Sequence, residues 1–317
     1  KAKGTYGLLA SDPTGYVIAN GDKINVRAGN GTTGVTLDFG TTSGYNLYFL
    51  KRGTSTLPVV FLIDDGTVWA ADAGKSCILT LQLDITDAYG FIGSACGTDP
   101  SSVTDGGIHI KGKQYSNGNR NFVFRYKPTL SSTYGSVVFK LRSYLTLENC
   151  ETYDGTTAFL YGDGIRFDTV AFGLRRAKLI NHKHSANCWP GGYGLFRNAV
   201  GYAVNGVDWT QGELAYIGVS SASSAPLIPN FYSSSINIDF RGVKFSGIPV
   251  NSKILDVDFN QNAPNRVNVT LTDCQGVENF NTLFSNCFCR ASNSAGYIER
   301  EYKVQIQGIK GNGYVLD

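Results

Sequence analysis

Three acidic residues, Glu148, Asp168 and Asp208, fall at multiples of 20 residues along the chain. A carboxylate pair can serve as general acid and base in breaking a glycosidic bond when its members lie about 5 to 9.5 Å apart. If the segments that carry them are strands wound past one core, residues one turn apart become neighbours at about 4.8 Å. The spacing would then assemble such a pair, with Glu213 close behind Asp208. Alternation puts Glu148 and Asp168 on the outer face, where scattered carboxylates are also what a solvated β surface carries. A second combination is Asp163 with Asp168, although Asp163 lies between two glycines and reads as a turn residue as readily as an acid. A lyase needs a base beside a uronic carboxylate, and Arg175, Arg176, His182, Lys183 and His184 could supply base and charge neutraliser. Residues 181–185 read equally well as a polar loop. His182 and His184 have the spacing of a strand-borne metal pair but lack a third ligand, so no metal and no other cofactor is expected.

Residues 187–216 suit binding better than bond breaking. Sugars offer flat C–H faces ringed by hydroxyls, and aromatic rings beside Asn, Asp and Gln match them. Trp189, Tyr193, Tyr202 and Tyr216 could form such a platform. Trp189 lies in a Gly- and Pro-rich loop and is either a plug over a core end or an exposed stacking surface. Trp209 shares its parity with Val207 and is expected in the core.

These groups must be carried by short strands. Ile236-Asn237-Ile238-Asp239-Phe240, Leu255-Asp256-Val257-Asp258-Phe259 and Val267-Asn268-Val269-Thr270-Leu271 alternate strictly between apolar and polar residues, as half-buried strands do. Strands of this kind recur roughly every 13 to 20 residues from Gly107 onward, with no amphipathic helix between them. The pattern predicts an all-β solenoid, with a jelly roll or sandwich as the alternative. Before it, longer strands separated by turns such as Asn20-Gly21-Asp22 and Asp64-Asp65-Gly66 predict a small antiparallel, β-rich domain. The boundary is placed in the linker-like residues 97–102, giving units 1–103 and 104–317.

Composition agrees. The chain has 317 residues, 42% hydrophobic and only 17% charged, with 38 glycines and 18 each of Tyr and Phe. A net charge of +3, with the basic residues scattered, argues against nucleic acid and leaves neutral or weakly acidic glycans as partners. No apolar run is long enough to enter a membrane as a helix. The seven cysteines are irregularly spaced and read as buried thiols made in a reducing compartment. The absence of Met suggests a processed product or a fragment of something longer.

The texture of residues 105–317, as in Ile236-Asn237-Ile238-Asp239-Phe240-Arg241-Gly242-Val243-Lys244-Phe245 and Val269-Thr270-Leu271-Thr272-Asp273-Cys274-Gln275-Gly276-Val277, resembles the right-handed parallel β-helices of bacteriophage tailspikes and pectate-lyase-like enzymes. The resemblance implies a trimeric virion tail protein, made in the bacterial cytoplasm, that binds and in many cases cuts bacterial surface polysaccharide such as capsule or O-antigen.

Overall fold

Alternation of apolar and polar side chains works as a folding code only if each strand finds a neighbour whose inward set matches its own, and here the neighbour is the next turn of the chain. The structure, a computed structural model, describes residues 7–8, 19–28, 35–38, 47–49, 53–54, 56–83, 90–93, 107–128, 134–140, 144–154, 161–168, 177–186, 194–199, 204–216, 236–248, 253–256, 266–280, 282–285 and 301–308. Among them the strands repeat in a fixed cycle of three positions, and every strand-to-strand pairing is parallel.

The first position of each cycle builds a six-stranded sheet from Gly7–Leu8, Leu47–Phe49, Gly90–Gly93, Tyr134–Lys140, Tyr161–Asp168 and Gly194–Ala199, in that order. The second runs through Lys23–Val26, Val59–Ile63, Gly107–Lys111, Tyr144–Glu148, the first halves of Ala177–Ala186 and Val204–Tyr216, then Ile236–Arg241, Arg266–Thr272 and Glu301–Gln307. The third takes Val35–Asp38, Cys77–Leu83, Phe122–Pro128, Cys150–Asp154, the second halves of the two long strands and Lys244–Ser246. Because the long strands span both positions, the second and third faces form one 14-stranded sheet. This is the all-β, parallel-stacked architecture expected, and it is not the antiparallel arrangement of a jelly roll.

The core sits against the second face as ladders of in-register side chains. One runs Phe61, Ile110, Leu147, Leu179, Trp209, Phe240, Leu271, and its companion runs Val59, Ile108, Leu145, Ala177, Val207, Ile238, Val269. All fourteen are buried. Burying each larger member contributes about 1.5–3 kcal/mol, and stacking like on like keeps successive coils in register. Trp209 is in the core as its parity predicts.

From Tyr144–Glu148 onward the chain turns off the second face at a single residue. Asn149, Asn181, Gln211 and Asp273 hold φ between 47° and 57° there, and Gly242 and Gly308 take the same place. This left-handed region is costly for most side chains and least so for Asn, Asp and Gly. Asn181 Nδ2 donates to Asn149 Oδ1 at 2.8 Å, and Asn149 Nδ2 donates to the Gly112 carbonyl at 3.3 Å, so the amides form a ladder up the corner. Arg120 donates to the Asn181 carbonyl at 2.7 Å and to its Oδ1 at 3.0 Å. Asn181→Ala loses these side-chain bonds and gains backbone strain, and is expected to cost about 2–4 kcal/mol in urea unfolding. Asn181→Gly should recover the strain component only; wild-type midpoints for both would contradict this account of the corner.

Gly212, with φ of 102°, shows what stacking demands next to that corner: a Cβ there would lie 2.2 Å from the His182 carbonyl oxygen. On the third face Cys77, Phe122, Cys150 and His182 stack inward in register. Burial pushes the Cys77 thiol up to about 11 and Cys150 to about 12, so both stay protonated. Cys274, also buried, is likewise raised by burial. Cys96, Cys188, Cys287 and Cys289 lie outside the described residues.

Four expectations are corrected. The strands before residue 103 do not form antiparallel hairpins: Val59–Ile63 pairs in parallel with Lys23–Val26 on one side and Gly107–Lys111 on the other. The turn signals there mark corners, which need the same Gly, Asn and Asp as hairpins do. Residues 97–102 lie outside the described ones, while strands before and after them pair directly. Along the second face a coil consumes between 30 residues, as from Ala177 to Val207, and 49, as from Val59 to Ile108, rather than 13 to 20, because three strand positions are visited before the chain returns. Thus Ile236–Arg241 and Arg266–Thr272 do stack, but Lys253–Asp256 pairs elsewhere, with Thr282–Ser285.

The other two concern single segments. Residues 181–185 are strand, not loop: His182 and His184 point inward and are fully buried while Lys183 points out. Their polarity is met in part by Thr152, whose hydroxyl lies 2.9 Å from His182 Nε2 and 2.6 Å from His184 Nδ1, while His182 Nδ1 and His184 Nε2 are buried without a hydrogen-bond partner. Asp163 lies within the strand Tyr161–Asp168 rather than in a turn, and Gly164 is the extra residue where the register with Tyr134–Lys140 shifts.

Candidate functional site

The corners after Val59–Ile63 and Gly107–Lys111 carry long excursions that the structure describes in full. After Val59–Ile63 the chain runs out through residues 64–76, and after Gly107–Lys111 through residues 112–121. The first is folded by buried Asp64, whose carboxylate accepts from the backbone N–H of Gly66, Val68 and Trp69 at 3.3, 2.9 and 3.0 Å. It is then tied to the coils on both sides. Toward the preceding coil, the Arg27 guanidinium makes a fork to Asp72 with both bonds at 3.0 Å, and the Ala28 N–H donates to the same carboxylate at 3.1 Å. Arg27 holds the Asp72 carboxyl below its ordinary value and covers the Trp69 ring at 4.9 Å. Toward the following coil, Lys113 Nζ donates to Asp65 at 2.7 Å and Tyr115 Oη to the Lys75 carbonyl at 2.7 Å.

Between this anchored loop and the outer side of the second face lies a cleft of about 440 Å³, within the range of small-ligand sites. Its floor is the outward ladder Asn25, Leu62, Lys111, Glu148, in register over four coils; Asp65, Val68 and Lys113 close it from the loop side. Glu148 is engaged through both oxygens, with Lys111 Nζ at 2.8 Å from Oε1 and His109 Nε2 at 2.9 Å from Oε2. Burial lowers the His109 pKa, outweighing the opposite pull of Glu148. His109 is therefore neutral at pH 7 and donates its Nε2–H to the carboxylate. Lys113 and Thr67 hold Asp65 down at about 2, and Asp65 in turn raises Lys113. Carboxylates and ammoniums thus stand side by side on an apolar patch made by Leu62 and Val68. Such a surface can orient hydroxyl groups.

Of the residues marked in the sequence, only Glu148 lies in this cleft. Asp168 is on the six-stranded sheet, in register with Ala199, so a 20-residue interval moves along the coil to a different face rather than up to the next coil. Asp208 is 8% exposed and sits between Lys178 and Asp239 in its ladder. Glu213 is on the third face between Lys183 and Lys244, and accepts from Ser246 Oγ at 3.1 Å. The four carboxylates are therefore not assembled. Trp189, Tyr193 and Tyr202, like Arg175 and Arg176, lie outside the described residues, and Tyr216 ends its strand opposite Ala186. Among the described residues no group of three or more His, Cys, Asp or Glu could hold a metal ion, and no helix is long and apolar enough to cross a membrane.

Sequence reasoning missed His109, Lys111, Lys113 and Asp65. The signal existed: outward His109 and Lys111 share a strand, and Glu148 follows Lys111 by one coil. Reading it needed the true coil length. Comparison of the chain with protein-family models, with curated proteins and with solved structures gave no match.

Proposed function

We propose that the chain is a right-handed parallel β-helix of the tailspike kind that attaches to bacterial surface polysaccharide, and that the cleft beside Glu148 is its glycan site. Parallel strands joined by crossovers are almost always right-handed, which supports the hand. The observation that carries the reading is the pairing of Glu148 with Lys111 and of Asp65 with Lys113 inside a cleft floored by Leu62. Polar groups fixed in pairs around an apolar floor are how proteins hold sugar rings. A homotrimer, a place in the virion tail and synthesis in the host cytoplasm belong to the same reading, and three buried free thiols suit a reducing compartment. The modest net charge of +3 supports a glycan rather than a nucleic-acid partner.

Glu148→Ala with Lys111→Ala is expected to weaken binding to capsule or O-antigen by at least about tenfold while the unfolding midpoint stays close to wild type, since neither side chain belongs to the buried ladders. Unchanged binding in that variant, with loss in Trp189→Ala, Tyr193→Ala, would move the site to the aromatic loops. Cleavage of the same polysaccharide is the second reading, favoured by Asp208 and Asp239 standing in register on adjacent coils, close to the separation an acid and base pair requires. Shortened oligosaccharides after incubation, abolished by Asp208→Asn, would establish it. An ultraviolet-absorbing unsaturated product would instead mark a lyase.

A further inference from the structure

The geometry points to a narrower ligand class for the cleft beside Glu148: an uncharged sugar unit, with uronates, sialic acids and free amino sugars excluded. This rests on the cleft being a glycan site. Glu148, Lys111, Asp65 and Lys113 each already have their counter-charge within contact, and the buried carboxylate of Asp64 is taken up by the backbone N–H groups of Gly66, Val68 and Trp69. Lys111 and His109 take one oxygen each of Glu148, and Lys113 takes Oδ2 of Asp65 while the Thr67 N–H and hydroxyl take Oδ1. A carboxylate oxygen in such a pair keeps a second lone pair, and the ammonium keeps two further N–H donors. What remains open is thus an acceptor beside a donor, about 3 Å apart, twice over.

A hydroxyl group is the complement of that arrangement because it donates and accepts at once, and neighbouring hydroxyls on a pyranose present the combination in sequence. A uronate carboxylate only accepts. To reach Lys111 or Lys113 it would have to displace Glu148 or Asp65, or remain beside them as a like charge. An ammonium has the mirror-image difficulty with the lysines. Leu62, an apolar residue facing outward in an otherwise polar ladder, and Val68, 52% exposed on the loop, leave a dry patch that fits the C–H face of the ring or a methyl substituent, as in a deoxy or N-acetylated sugar.

The test is calorimetric binding of the intact chain to four probe sets: neutral hexose oligomers, N-acetylglucosamine and deoxyhexose oligomers, oligogalacturonate with sialyl oligomers, and chitosan oligomers. Each is measured in low and in high salt. The expected result is binding confined to the first two sets, insensitive to salt because no net charge is neutralised, and weakened at least about tenfold by Glu148→Gln or Lys113→Ala. Preferred binding of the acidic or the cationic set, lost in high salt and in the same variants, would overturn the inference while leaving a glycan site in place. If no set binds, the glycan reading itself falls and the inference with it. Neutral binding that ignores both variants would show that the cleft is not where the sugar sits.

Discussion

Trp209→Ala is expected to lower the free energy of unfolding by about 3–5 kcal/mol, the largest loss from any single truncation of the ladders. Trp209 is completely buried, stacked between Leu179 and Phe240, with its ring 6.0 Å from Phe240 and 5.7 Å from His182. Removing it leaves a cavity that two in-register neighbours cannot fill without losing their own pairing. In a stack where each coil contacts only the coils above and below, the damage concentrates at that level. Hydrogen exchange should therefore rise first in Ala177–Ala186 and Ile236–Arg241, ahead of Val59–Ile63. Trp209→Phe should recover more than half of the loss. A denaturant midpoint for the alanine variant within about 1 kcal/mol of wild type would mean that the ladder is not the main source of cohesion.

Stability should also fall steeply between pH 6.5 and about 4. The chain has three histidines, and burial lowers all three: His184 to about 3, His182 well below its ordinary value, and His109 to a lesser degree. The folded protein therefore binds fewer protons than the unfolded chain in this range, so the stabilising contribution is complete above pH 6.5 and is lost as pH falls toward the folded values. Each fully buried histidine gives a slope of about 1.4 kcal/mol per pH unit, so His182 and His184 together remove on the order of 5 kcal/mol over two units. Asp65 and Asp72, held low by Lys113 and Arg27, add a loss of the same sign only below about pH 4, which separates the two effects. His184→Leu copies the residue opposite it in the next coil, Leu214, and should roughly halve the slope. Urea midpoints that do not move between pH 7 and 4.5 would rule out neutral buried imidazoles.

The ladders were legible in the sequence because period-2 alternation is a local property: Ile238 with Phe240, Leu145 with Leu147 and Val269 with Leu271 each declare which face is inward without reference to any partner. Stacking distance is not local. The interval from Glu148 to Asp168 looked like one turn, yet the third face and the six-stranded sheet are interposed, and only pairing such as Leu147 with Leu179 reveals the length of a coil. The same limit hid the cleft, since Asp65 and Glu148 meet only once loop and coil are in place. His182 and His184 misled for a different reason. Polarity usually marks a solvated position, and the hydroxyl of Thr152 that makes their burial tolerable lies in the preceding coil. The turns before residue 103 misled because a corner and a hairpin draw on the same few residue types.

The corner excursion at residues 64–76 has a consequence for how such a protein can change. Its anchors are Asp64, Asp72 with Arg27, and Lys113, all at or beyond the corner, and none belongs to the ladders Phe61–Leu271 or Val59–Val269. If the cleft binds as proposed, recognition and folding are written in separate parts of this coil. A loop of different sequence and length could be exchanged at that corner while the apolar register beneath it passes unchanged from one lineage to the next.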